Sequence, residues 1–380
     1  TCTFYGTANS NQMLMEIMGL QLPNGSFVNP GTPLRSLLTN EAVRCVLHNT
    51  SLGDHYVPMG EVVSEKAVVN AIVGLLATGG STNHTIHLIA IAKAAGITID
   101  WDDFCELSTA VPLLARVYPN GVADVNHFHA AGGLALIVRE LLDAGLLHDD
   151  VKTILGDGLR RFCVEPFIAD DQLEWRDGPA ESLDKEIIAS VDSPFDQEGG
   201  LRLVKGNLGR AVVKISAVAE EYHSITAPAR VFTSQEDFKR AFNDGELDTD
   251  FVAVLANQGP AAIGMPELHK LTPYLGLLQN RGFKVALLTD GRMSGASGKV
   301  LSAIQATPEA ARGGAIGKIR DSDMITICAV RGEMSVAADD IESREPGPDE
   351  IAAHSVGIGR ELFQAFRERS TSAEEGASFF

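Results

Sequence analysis

The stretch Val285-Ala-Leu-Leu-Thr-Asp-Gly-Arg-Met-Ser-Gly-Ala-Ser-Gly-Lys299 sets the reading of the fold. Val285 to Leu288 is an apolar run of strand length, and it ends abruptly in polar, glycine-rich sequence. A buried central strand reads this way, with glycines 291, 295 and 298 letting the backbone turn tightly and approach a ligand. Asp290, Arg292, Ser294 and Lys299 are thereby gathered at one edge. Taken alone, an ordinary strand-to-helix turn with a Ser/Gly cap fits the same residues equally well.

Upstream, Phe251 to Leu255 reads as a second strand, and it too releases a polar loop, Asn257-Gln-Gly-Pro-Ala-Ala-Ile-Gly-Met-Pro-Glu-Leu-His-Lys270. Two strand ends of one sheet, each followed by such a loop, point to a shared site at one rim. Glu267 then lies on the rim with His269 and Lys270 beside it, although Pro266-Glu267 also suits the first turn of a helix. Further short strands are expected at Leu201–Val204, Arg210–Ser216, Ala229–Phe232, Met324–Val330 and Met334–Ala337, with a glycine turn at Lys205-Gly-Asn-Leu-Gly-Arg210. Seven short strands with helices at 234–243 and 359–369 predict a β-barrel or closed sheet flanked by helices. The acidic, small-residue tail after Ser370 is expected to be poorly ordered.

The first half reads differently. A polar turn, Cys2-Thr-Phe-Tyr-Gly-Thr-Ala-Asn-Ser-Asn11, runs into a short helix from Gln12 to Met18. A thiol just ahead of a helix N-terminus is placed where its thiolate is favoured, while a buried structural cysteine is the plainer alternative. Helical patterns cover 34–48, 64–78, Thr85–Ala95, Leu134–Ala144 and 149–162. Between two of them, Gly79-Gly-Ser-Thr-Asn83 is a helix stop followed by a start, and its backbone N–H groups could hold an anion. His84 and His87, three apart, leave metal binding and a core role equally open. The loop Asn120–His129 has the polar composition of a substrate-contacting loop or of a solvated surface. From Asp170 to Asp184 the composition turns acidic and irregular, and the domain boundary is placed there.

At 380 residues the chain exceeds one core of usual size. Its 45% hydrophobic and 21% charged residues are those of a soluble globular protein, and no apolar run is long enough for a membrane span. The net charge of −19 argues against nucleic acid and anionic membranes as partners, so an anionic substrate must be met by local cations. Five scattered cysteines indicate neither a disulfide framework nor a zinc knuckle, and they fit a reducing cytoplasm. No signal peptide is evident, and a start at Thr1 suggests that sequence precedes it in the natural gene.

Thr289-Asp-Gly-Arg-Met-Ser-Gly-Ala-Ser297, Gly264-Met-Pro-Glu-Leu268, Gly206-Asn-Leu208, Gly79-Gly-Ser-Thr-Asn83 and Cys2-Thr-Phe-Tyr-Gly-Thr-Ala-Asn9 together resemble the dihydroxy-acid/6-phosphogluconate dehydratase family in order and spacing. Cys2-Thr-Phe-Tyr-Gly6, Asn126-His-Phe128, Pro266-Glu-Leu-His-Lys270 and Ser297-Gly-Lys299 look most like its phosphogluconate branch. The resemblance implies an α/β fold: residues 1–178 as the C-terminal part of an αβα N-terminal domain, 179–370 as a β-barrel-like C-terminal domain, and 371–380 as a tail. It implies a hydro-lyase that dehydrates 6-phospho-D-gluconate to 2-dehydro-3-deoxy-6-phospho-D-gluconate in the Entner–Doudoroff route, in a cytoplasmic homodimer. It further implies an iron–sulfur cluster, 4Fe–4S before 2Fe–2S, as Lewis acid on the departing hydroxyl, and a divalent cation, Mg or Mn, at the carboxylate end. By the same resemblance Ser294 is the base, Cys2 a cluster ligand and Glu267 a metal ligand.

Ser81, Thr82 and Asn83 are candidate substrate contacts, as are His269, Lys270, Arg292 and Lys299. Of these, Lys299 or Lys270 is expected to hold the 6-phosphate, because cations on the two catalytic loops stand out in so acidic a chain. The family's remaining cluster cysteines belong to a segment before residue 1, so the chain as it stands is expected to be inactive. Ala256-Asn-Gln-Gly-Pro-Ala-Ala-Ile-Gly264 lacks the basic residues that the resemblance would place there, which keeps another sugar acid or a dihydroxy acid open as substrate, and an inactive fragment as the other alternative.

Overall fold

The computed structural model describes residues 3–295, 297–349 and 351–380. Cys2, the expected cluster ligand, lies outside the described residues. The chain folds into two compact units. The first comprises everything described up to His84, with Ile91–Ile99 and Glu106–Gly200; the second comprises Thr85–Ala90, Asp100–Cys105 and Leu201–Phe380.

Helices come first in the chain order: α1 (Thr7–Ile17), α2 (Pro33–Asn49), α3 (Met59–Val62), α4 (Glu65–Ala77), α5 (His84–Ala94), α6 (Trp101–Ala110), α7 (Val125–Ala130) and α8 (Gly133–Asp143). Ser64 caps α4 by accepting the Ala67 N–H at 3.3 Å, and ten of the helix's thirteen residues are buried, as its all-round apolar sequence requires. Two short hairpins follow, β1 (Lys152–Thr153) with β2 (Gly156–Asp157), and β3 (Val164–Ala169) with β4 (Gln172–Asp177).

These hairpins correct the sequence reading twice. The helix expected over 149–162 is instead the β1–β2 turn and a 3-10 segment, Leu159–Phe162. The Thr153 hydroxyl accepts the Leu155 N–H at 3.1 Å and donates to the Gly156 carbonyl at 2.7 Å, a local bond that competes with helix formation. The acidic stretch around Asp170 is a regular β-hairpin whose two turn residues, Asp170 and Asp171, both have positive φ (48° and 60°). That is the backbone a two-residue hairpin demands, and aspartate tolerates it.

The second unit is built on a closed eight-stranded barrel: β5 (Leu201–Gly206), β6 (Gly209–Lys214), β7 (Ser224–Phe232), β8 (Phe251–Leu255), β9 (Val285–Thr289), β10 (Ser302–Thr307), β11 (Met324–Cys328) and β12 (Glu333–Val336). Around the ring the order is β10-β6-β5-β12-β11-β7-β8-β9, with β9 returning to β10. β7, β8, β9 and β10 pair in parallel, while β6 pairs antiparallel with both β5 and β10. Helices α9 (Gln235–Asn243), α10 (Pro260–Ile263), α11 (Leu271–Asn280) and α12 (Gln364–Arg369) complete the unit.

Strand β10 is the barrel strand that the sequence reading missed. Its Ser-Ala-Ile-Gln-Ala-Thr composition lacks the branched apolar run of its neighbours, and Gln305 interrupts it with φ 60° where the pairing register with β6 shifts.

Alternation along the parallel strands explains why β8 and β9 read as unbroken apolar runs. Val252, Val254, Ala286 and Leu288 point into the barrel core with Val204, Val213, Ile325 and Met334. Phe251, Ala253, Leu255, Val285 and Leu287 point outward onto Phe238 of α9 and Leu271, Leu275 and Leu278 of α11. Both faces are covered, so no polar residue is called for on either. The Gly206-Asn-Leu208 turn serves the barrel's closure. Asn207 donates to the Val336 carbonyl at 2.8 Å and accepts the Val336 N–H at 2.9 Å, clasping β12 beside the β5–β6 turn.

The tail differs from expectation. Ser372 and Glu375 form a reciprocal cap, Ala373 and Ser378 are buried, and Glu374 pairs with Arg210 at 2.8 Å. Small residues can approach a packed surface closely, which is how a weakly apolar segment is held in place here.

Candidate active site at the barrel rim

The loops leaving β8 and β9 lie side by side and are sewn together by polar side chains. The Thr289 hydroxyl donates to the Leu255 carbonyl at 2.6 Å, joining the two strand ends. Asp290 is fully buried, and its carboxylate accepts the N–H groups of Gln258 (2.8 Å), Asn257 (3.1 Å) and Ala310 (2.9 Å). Burial pushes its pKa up against the pull of those three donors. Glu309 repeats the device next door, accepting the Ala261 N–H at 3.1 Å and the Ala262 N–H at 3.3 Å, again with its pKa raised by burial. Gly291 must be glycine, because a Cβ there would fall 2.6 Å from Cβ of Gln258 and 3.2 Å from Leu268.

On this frame Glu267 and Arg292 meet. Their backbones form a parallel bridge, with the Leu268 N–H donating to the Arg292 carbonyl at 2.9 Å. The Arg292 guanidinium donates from Nε to the Met265 carbonyl at 2.6 Å and stands 3.8 Å from the Glu267 carboxylate. Glu267 therefore sits in an isolated β-bridge at the rim and not in a helix cap. His87 faces the same charges: burial and Arg292 lower its pKa, and Glu267 opposes them. Asn257 and Met265 hold positive φ (60° and 53°), a concentration of costly backbone on the loop after β8.

Ser294 is half-buried in the loop after β9, and its carbonyl accepts the Ser297 N–H at 2.9 Å. Its hydroxyl has no hydrogen-bond partner among the described residues, and Arg292 and Lys299 are the cations of its own loop. His269 is exposed, with Nδ1 3.2 Å from the Glu267 carbonyl. Lys270 is turned away into an ion pair with Glu236 of α9, and Lys299 is exposed.

In the first unit, Ser81, Thr82 and Asn83 are buried. Ser81 bonds the Thr7 hydroxyl at 2.9 Å, and the Asn83 amide donates to the same oxygen at 2.7 Å. These residues are thus bound into the packing of α1 against the start of α5.

Beside the rim, the second unit holds a cavity of about 760 Å³, a volume typical of small-molecule sites. His87, Gln258, Met265 and Arg292 line it, together with His354, Arg360 and Arg367. Ser294, Glu267, His269, Lys270 and Lys299 are not among its lining residues. Sequence reasoning did not single out Gln258, Glu309, His354, Arg360 or Arg367. Three arginines at 360, 367 and 369 in so acidic a chain were the available signal.

Among the described residues no three His, Cys, Asp or Glu side chains gather as a metal site. The described cysteines, 45, 105, 163 and 328, are free; burial raises the pKa of the first three, that of Cys105 to about 12. Thiols so placed do not fit an iron–sulfur cluster, and Glu267 alone does not fit a divalent cation. No described helix is long and apolar enough to cross a membrane.

Comparison with known proteins covers nearly the whole chain. Residues 1–162 match the model of the dihydroxy-acid/6-phosphogluconate dehydratase N-terminal domain, and residues 186–377 match that of the C-terminal domain. Among curated relatives, the phosphogluconate dehydratase of Pseudomonas aeruginosa is 58% identical over 384 residues, covering 100% of this chain and 63% of the relative. That of Escherichia coli K12 is 57% identical over 380 residues, with the same coverage. The dihydroxy-acid dehydratase of Sulfurisphaera tokodaii is 34% identical over 339 residues, covering 88% of this chain and 57% of the relative. The chain thus spans 63% of the length of the phosphogluconate dehydratases it matches.

Proposed function

This chain belongs to the dihydroxy-acid/6-phosphogluconate dehydratase family, and from that premise we propose that it is part of a hydro-lyase converting 6-phospho-D-gluconate to 2-dehydro-3-deoxy-6-phospho-D-gluconate. The gap between 58% identity to a phosphogluconate dehydratase and 34% to a dihydroxy-acid dehydratase favours the phosphorylated substrate. The single observation that carries the chemistry is the joined pair of loops after β8 and β9, which hold Glu267 against Arg292 on the loop of Ser294.

In this reading Ser294 Oγ accepts the C2 proton. A serine hydroxyl is a weak base, and the positive charge of Arg292 on the same loop favours the alkoxide form it needs. The C3 hydroxyl departs as water with the proton that Ser294 has taken up, which returns the serine to its starting form, and the enol left behind ketonises. Arg292, held in place by Glu267, pairs with the carboxylate end of the substrate, with Gln258 on the lining of the same cavity. The family's cluster, 4Fe–4S before 2Fe–2S, and its Mg or Mn ion belong to this reading with Cys2 and Glu267 as ligands. The described residues do not fit either group by themselves, so no step is routed through them. The first unit is read as the remainder of an αβα domain in which Ser81, Thr82 and Asn83 remain candidate substrate contacts, and the enzyme as a cytoplasmic homodimer.

The test is Ser294→Ala in the full-length, cluster-loaded enzyme. Loss of a general base lowers kcat by about 10²–10⁴-fold, and exchange of the C2 proton with solvent deuterium stops while cluster content stays unchanged. Retention of kcat within a few-fold would refute Ser294 as base.

A further inference from the structure

The cavity beside the rim carries more positive charge than the sugar-acid carboxylate requires. Of its lining cations, Arg292 is already shared between Glu267 and the Met265 carbonyl. Arg360 and Arg367 have no ion pair with a carboxylate among the described residues. The one hydrogen bond from the Arg367 guanidinium within that set goes to the Arg360 carbonyl, at 3.3 Å. Glu361, next in sequence, accepts the Gly357 N–H at 2.8 Å, and that bond, more than the charge of Arg360, lowers its pKa. Glu236 is the one acidic residue on the lining, and it is neutralised by Lys270. Two guanidinium groups with no carboxylate at ion-pair distance among the described residues, Glu361 acting on Arg360 only from further away, leave a local positive field in a chain of net charge −19.

The surroundings suit a strongly charged anion. Phe363, Phe366 and Phe379 line the same cavity, half-exposed rings that leave the guanidinium groups open to an incoming anion. The segment bearing the arginines is tied down just beyond them. Arg312 donates to the Glu368 carbonyl at 2.8 Å, and further on Gly376, with φ 87°, lies so close to α5 that a Cβ would stand 2.8 Å from the Ala90 nitrogen. A planar guanidinium pairs bidentately with phosphate oxygens, and two can divide one dianion between them.

We propose that Arg360 and Arg367, flanked by His354, form an anion subsite for the terminal phosphate of a phosphorylated sugar acid. This subsite takes the place of Lys270 and Lys299 in phosphate recognition. It rests on the dehydratase reading for the identity of the substrate, though not for the binding of phosphate itself. Selectivity for the phosphorylated substrate then resides in the segment after residue 350 and not in the catalytic loops.

Two measurements on the full-length enzyme separate the claims. In the first, inorganic phosphate is titrated calorimetrically into wild type, Arg360→Gln/Arg367→Gln and Arg360→Lys/Arg367→Lys. The glutamine pair is expected to weaken phosphate binding at least tenfold and the lysine pair to restore part of it, with thermal midpoints compared to confirm folding. In the second, kcat/KM for 6-phosphogluconate relative to gluconate is expected to fall at least tenfold in the glutamine pair. Unchanged phosphate affinity in a folded double variant would overturn the subsite. So would an equal fall in the kcat/KM ratio on Lys270→Gln or Lys299→Gln. If wild type binds phosphate through the arginines but does not turn over 6-phosphogluconate, the subsite stands and the substrate assignment falls.

Discussion

Asp290 offers the sharpest test of how the rim is held. Its two oxygens serve three buried N–H donors, Oδ1 taking Gln258 and Oδ2 taking both Asn257 and Ala310. In Asp290→Asn the amide nitrogen must replace one oxygen. The better orientation sacrifices the single bond to Gln258, and an unsatisfied buried donor costs about 1–3 kcal/mol. Against this, the neutral amide removes a buried charge whose cost is evident in the raised pKa of the acid. The two effects nearly offset, so Asp290→Asn should cost about 1 kcal/mol.

Asp290→Ala leaves all three donors bare and should cost about 3–6 kcal/mol. The sign with pH follows from the same shift. A folded-state pKa raised above the unfolded one means the acid's contribution to stability is complete below the unfolded value and is lost as pH rises through the folded value, so the gap between wild type and the asparagine variant narrows as pH rises. The assay is urea unfolding read by Trp101, fully buried in the second unit, in a Trp175→Phe background that silences the other tryptophan. If alanine proves no more costly than asparagine, the carboxylate is not what joins these loops.

Two further outcomes are expected. Glu16 is buried in the first unit, accepting the Ser26 N–H at 3.1 Å and its hydroxyl at 2.6 Å, and burial raises its pKa from 4.5 to about 7. Stability contributed by the protonated acid is complete below the unfolded value and lost as pH rises through about 7, up to about 3 kcal/mol. The difference in unfolding free energy between wild type and Glu16→Gln should therefore change across pH 5–8, and parallel curves would refute this. Gly376→Ala, strained by its positive φ and its contact with Ala90, should cost about 2 kcal/mol. It should also speed hydrogen exchange at residues 371–380; unchanged exchange there would show that the tail does not depend on this contact.

How far the sequence could be read depended on whether a residue's role is local. Strands β8 and β9 announce themselves because both faces are covered, which leaves only apolar positions. The hairpin at Asp170 and the strand at Ser302 were hidden because turn chemistry and closed-sheet burial override propensity there. In the candidate site, the pairing of the Glu267 loop with the Arg292 loop followed from two strand ends feeding one rim. The engagement of Lys270 by Glu236 did not, since it depends on where the start of α9 falls in space. Arg360 and Arg367 escaped notice for a related reason: a lone arginine on an exposed turn looks like solvation until the cavity it lines is known.

The ring order of the barrel has a consequence for how the chain is made. Its first strand, β5, is paired on one side by β6, and on the other by β12, the last of the eight barrel strands to be synthesised. Until Asn207 can clasp Val336, every nascent or truncated form carries an open, apolar-backed strand edge. A chain cut anywhere between β11 and β12 should therefore aggregate while losing none of the catalytic loops, and the demand on chaperones during synthesis should fall on this final hairpin.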